Sequence, residues 1–83
     1  MRINYKGCRD GFNYRIAEIS FDDSELTLME RITHLLSVRG WKVQIVTDGY
    51  ALCEVADLCE YREFAKEYAN AKRCIRNCMK FGF

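Results

Sequence analysis

Residues 41–56 read WKVQIVTDGYALCEVA, and this stretch decides the fold. Asp48-Gly49 separates two runs rich in β-branched and aromatic residues, Trp41–Thr47 and Tyr50–Ala56. Asp-Gly is the dipeptide a two-residue type I′ hairpin turn favours, because both of its central residues need positive φ. Direct pairing across that turn puts Trp41, Val43, Ile45, Tyr50 and Leu52 on one face. Lys42, Gln44, Val46, Ala51, Cys53 and Val55 take the other, which is only half polar.

Helices flank this hairpin on both sides. Upstream, Leu26, Met29, Ile32 and Leu36 recur at helical spacing, and Leu28 and Leu35 widen the stripe. Asp22 followed by Glu25 has capping-box spacing at the helix start, and Arg39-Gly40 reads as a left-handed stop with Trp41 packing back. Downstream, Asp57 and Glu60 repeat the capping spacing. Leu58, Tyr61, Phe64, Ala65, Tyr68, Ala71, Ile75 and Met79 then form one apolar stripe. Lys72 falls inside it, so burial ends near that point or the lysine stem snorkels. Acids occupy the first half of this helix and Lys72, Arg73, Arg76 and Lys80 the second, as the helix dipole favours.

The N-terminal segment reads as a second hairpin, Arg2–Lys6 against Phe12–Ile19, closed by Cys8-Arg9-Asp10-Gly11. A four-residue loop pairs Tyr5 with Tyr14 and Ile3 with Ile16. Ile3, Tyr5, Phe12, Tyr14 and Ile16 then share one side, and Arg2, Asn4, Lys6, Asn13 and Arg15 the other. A slip of one residue turns every side chain over. Ala17, Ile19 and Phe21 continue on the opposite phase, which a bulge or the strand's end explains. The order is ββαββα, a single α+β domain over residues 1–83. It is expected as a two-layer sandwich, an antiparallel four-stranded sheet with both helices on one face. Strand order is not legible.

Composition bounds the chemistry. The 83 residues carry 13 Lys+Arg against 12 Asp+Glu, a net charge of +1, with one His, five Cys and no Pro. A chain this short buries only about 60% of its unfolded surface, leaving no room for a spacious internal cavity. The charge balance excludes a bulk-basic nucleic-acid binder and leaves room for a local basic face. No apolar run reaches the roughly 18–20 residues that span a bilayer, no signal peptide is evident, and the cysteine count is odd. A cytoplasmic protein with reduced thiols and no membrane contact is expected.

Motifs for catalysis are thin. Cys74 and Cys78 share one helix flank, but zinc usually takes four N/S ligands, and Cys53 and Cys59 turn away from the apolar stripe. Cys59 lies in a first helical turn, which favours a thiolate, while Glu60 and Glu63 oppose it and the only histidine, His34, is mid-helix beside the other stripe. Asp22, Asp23, Glu25, Glu60 and Glu63 are accounted for as caps and dipole partners. No enzyme, cofactor or metal site is expected.

Surfaces carry more. Arg2, Asn4, Lys6, Asn13 and Arg15 form a polar, basic hairpin face, and Arg73, Arg76 and Lys80 a second basic cluster. Both are candidate contacts for a protein partner, a protein–nucleic-acid complex or nucleic acid itself. Alternation alone also produces such a face, and the aromatics that could stack bases fall on its buried side. Ile75, Met79, Phe81 and Phe83 either close the core or form an exposed patch, through which the C-terminal helix could pair two copies. In size and architecture the chain resembles small proteins encoded by phages and mobile elements, some of which inhibit host defence complexes, CRISPR inhibitors among them. No residue carries that resemblance. It implies action by covering a partner's surface, without catalysis. The leading expectation is a small interaction protein of this anti-CRISPR-like kind. Nucleic-acid binding through the basic hairpin face is the alternative, and a thiol metal or redox module the second.

Overall fold

The computed structural model describes residues 1–6 and 15–80, the last by its backbone alone. Its elements run β1 (Arg2–Lys6), β2 (Ile16–Ser20), α1 (Leu26–Val38, entered through a 3-10 turn at Asp23–Glu25), β3 (Val43–Thr47), β4 (Tyr50–Glu54) and α2 (Leu58–Lys80). All pairs are antiparallel, in the order β1-β2-β4-β3, so the hairpins meet through β2 and β4. This is the α+β ββαββα fold. Both helices cover one face of the sheet, enclosing Ala17, Ile19, Ala51 and Cys53 with Met29, Ile32, Leu36, Phe64, Tyr68 and Ala71. The first four are short apart from Ile19, which lets the helices lie close on the sheet centre.

The helix boundaries follow the sequence signals. Glu25 Oε1 accepts the Asp22 N–H at 3.1 Å, and Asp57 Oδ1 accepts the Glu60 N–H at 2.8 Å. At the end of α1, Gly40 adopts φ +96°. Its N–H donates to Ser37 O at 3.0 Å while the Trp41 N–H reaches Leu36 O at 3.0 Å, the paired bonds of a Schellman motif. Trp41 then packs its ring edge-on to Phe64, 5.2 Å between centroids.

Both hairpin registers depart from the expected pairing. In the first, Ile3 pairs with Ile19 and Tyr5 with Ala17, not with Ile16 and Tyr14. The three-residue offset is odd, so β2 is turned over. Ala17 and Ile19 face the helices, and Ile16 lies opposite Lys6 on the outer face, where it is buried at 2% exposure. The run of Ala17, Ile19 and Phe21 is thus the core phase itself. The expected loop at residues 8–11 and the strand positions of Phe12, Asn13 and Tyr14 lie outside the described residues.

In the second hairpin Thr47 pairs with Tyr50 as expected, but Ile45 pairs with Ala51 and Val43 with Cys53. Val46 is the extra residue of a bulge and is 50% exposed. One added residue inverts β4 relative to β3, so Ala51, Cys53 and Val55 are buried instead of Tyr50 and Leu52. Nor is the turn type I′: among the described glycines only Gly40 has positive φ. The bulge supplies the local twist that a primed turn would have given.

Candidate functional site

Register decides which polar side chains keep company. Arg2, Asn4 and Lys6 point to the outer face of β1, opposite Ser20, Glu18 and Ile16. Arg15 does not join them. Strand phase sends it the other way, and its Nη1 donates to Ala56 O at 2.8 Å, while the Val55 N–H donates to Arg15 O at 3.1 Å. It ties the start of β2 to the entry of α2, a structural duty that removes it from the expected basic face. Asn13 lies outside the described residues, as do Phe81, Phe83 and the side chain of Lys80.

Across the outer face, Glu18 Oε2 accepts the Tyr50 hydroxyl at 2.6 Å and lies 3.4 Å from Lys6 Nζ. One carboxylate therefore joins β1, β2 and β4 and offsets part of the Lys6 charge. This contact was not legible without the register that sets Asn4 against Glu18 and Glu18 against Leu52.

Tertiary folding brings Arg73 and Arg76 of the second basic cluster beside Ile3 of β1. Chain direction in α2 opposes that in β1: the Tyr61 ring lies 5.1 Å from Tyr5, and the Tyr68 hydroxyl donates toward Met1 Sδ at 3.2 Å. Ile3 consequently borders a shallow groove of about 480 Å³ lined also by Ala65, Tyr68, Ala69, Lys72, Arg73 and Arg76. Lys72 stands within the apolar stripe and joins this lining. Arg76 is 3.7 Å from Glu25 Oε2, whereas Arg2, Lys72 and Arg73 make no ion pair among the described residues.

Glu25 lies outside the groove lining and is linked to it through Arg76. Beyond the Asp22 N–H, its carboxylate lies 3.4 Å from the Met1 amino group and near Arg76. The Asp22 bond first, then the amino group and Arg76, hold its pKa below the usual carboxylate value. Read as a helix cap alone, Glu25 hides this role; the missing signal is the proximity of the chain's first residue.

The thiols are dispersed. Cys53, expected away from the core, is fully buried within it, and burial pushes its thiol up to about 11. Cys59 and Cys74 are exposed and Cys78 is half-buried, as suits a flank away from the stripe. Among the described residues no three His, Cys, Asp or Glu side chains gather as a metal site would require. His34 sits on the exposed side of α1. No described helix is long and apolar enough to cross a membrane. Comparison with protein-family models, curated proteins and solved structures finds no match to the chain.

Proposed function

We propose that the chain is a non-catalytic interaction protein that acts by covering a surface of a larger partner, as an inhibitor of a macromolecular complex does. Its contact surface is the basic margin of the sheet. One observation carries this reading: two clusters far apart in sequence, Arg2 with Lys6 on β1 and Lys72 with Arg73 and Arg76 on α2, lie along the β1 side of the fold, where Ile3 borders the groove that the α2 cations line. Charge gathered on one side in a chain of net +1 steers association with an acidic partner. The dispersal of His34, Cys53 and Cys59 supports the non-catalytic half of the reading.

Direct nucleic-acid binding draws on the same cations. Stacking platforms present aromatic faces to solvent, whereas Tyr5 packs on Tyr61 toward the core and the Tyr50 hydroxyl is held by Glu18. A protein partner is therefore the preferred reading. Affinity capture with the wild-type chain and an R2E/R73E variant, with and without nuclease, tests it. A protein retained by wild type, insensitive to nuclease and lost on charge reversal is the expected result. Capture that charge reversal leaves intact overturns the assignment of the surface, and capture lost on nuclease digestion moves it to nucleic acid.

A further inference from the structure

Resting on that reading, we propose that the outer edge of β1 receives an extended acidic segment of a partner protein as a fifth, hydrogen-bonded strand. β1 ends the sheet, and among the described residues no strand pairs with its outer side. Antiparallel pairing to β2 consumes the backbone groups of alternate residues only. The others present N–H donors and C=O acceptors outward, a template for another chain. A phosphodiester backbone has acceptors and no donors, so it cannot satisfy such an edge; a peptide can.

Side-chain placement specifies the segment further. On the helix side, an added strand points alternate residues into the groove over Ile3, Ala65 and Ala69, where small side chains leave room for apolar groups. On the other side its residues lie beside Arg2 and Lys6, while Lys72 and Arg73 line the groove side toward the Met1 end, within reach of an acidic residue at that end of the segment. The segment is therefore an alternation of carboxylates and apolar residues about as long as the five-residue β1. A second copy of this chain is the wrong occupant. Antiparallel self-pairing centred on Asn4 sets Arg2 of each copy against Lys6 of the other, a like-charge opposition. The far edge of the sheet offers no equivalent: β3 has no charged residue between Val43 and Thr47, and its bulge breaks the regular ladder.

The test uses the full chain with a fluorescein-labelled nine-residue peptide alternating Glu and Val. Its controls are a Lys/Val counterpart, the Glu/Val peptide N-methylated at alternate residues, and a twelve-nucleotide oligo-dT. Anisotropy at low salt measures affinity, and NMR amide exchange reads Arg2–Lys6. The Glu/Val peptide is expected to bind and to slow exchange at β1. N-methylation and the R2E/R73E substitution are each expected to weaken binding about tenfold or more, as loss of one or two hydrogen bonds or charge contacts implies. Equal binding of the methylated peptide overturns strand addition while the basic margin stands. Binding of oligo-dT in place of the peptide overturns the acidic-protein partner and leaves the margin in place. Binding of neither probe, or binding indifferent to R2E/R73E, overturns the margin as well.

Discussion

A Cβ added at Gly40 meets no atom within 4 Å, yet the residue sits at φ +96°, so its requirement for glycine is purely conformational. Gly40→Ala is expected to cost about 1–2 kcal/mol, the usual penalty of an L residue in the left-handed region, read as a lower urea midpoint at unchanged slope. Gly49 is constrained differently: its Cβ would lie 3.2 Å from Phe21 O, in a turn whose own carbonyl accepts the Phe21 N–H at 3.1 Å. Asp-Gly marked the turn in the sequence for one reason, and close backbone approach makes glycine fit it for another. The cysteines differ as sharply. With its thiol buried and pushed up to about 11, Cys53 is expected to escape a short iodoacetamide pulse at pH 8 that labels Cys59 and Cys74, as peptide mass spectrometry will show. Glu25 sets an acid dependence. Its folded pKa lies below the ordinary 4.5, so its stabilising effect is present above that value and is lost as pH falls through the lower, folded one. Chemical denaturation between pH 5 and 3 is expected to show a shallower fall for E25Q than for wild type.

Hairpins and helices were not equally legible. Both helices begin at Asp-x-x-Glu and keep their apolar stripes because a helix satisfies its own backbone and needs no partner to set its phase. Leu58 and Met79, at the two ends of the α2 stripe, are the exceptions; each is more than 40% exposed where the helix leaves the sheet. Strand faces depend on register, and register depends on single residues. Val46 is such a residue. Its side chain contributes little, so Val46→Thr is expected to change stability by less than about 0.5 kcal/mol. Deleting it makes Ile45–Ala51 and Thr47–Tyr50 consecutive pairs of a regular ladder, so Ala51 and Cys53 keep the core face, and a retained cooperative near-UV CD transition is the expected outcome.

At the scale of the molecule, α2 is the long axis. Twenty-three residues span about 34 Å, twice the ~17 Å of a five-residue strand, and the chain measures 47 × 23 × 18 Å. The helix therefore both backs the sheet and carries cations past its edge. Phe64 holds this arrangement, fully buried between Trp41 and Tyr68. Phe64→Ala is expected to cost about 3–5 kcal/mol, a large share of the ~4–12 kcal/mol typical of a chain this long, visible as a drop in Tm of more than 10 °C. By contrast, the exposed Arg39–Glu67 pair at 2.7 Å joins the helices for no more than about 1 kcal/mol.

Element order, helix limits, caps and the α+β class are local properties, set by apolar spacing and turn chemistry within a few residues, and the amino-acid sequence by itself determined them. Strand order, the phase of β2 and β4, the removal of Arg15 from the basic face and the placing of Lys72, Arg73 and Arg76 in one groove with Ile3 were decided only by the tertiary structure. Each is a relation between residues distant in the chain, and what selects it is the burial of Ala17, Ile19, Ala51 and Cys53 beneath two helices, an energy that no single segment contains.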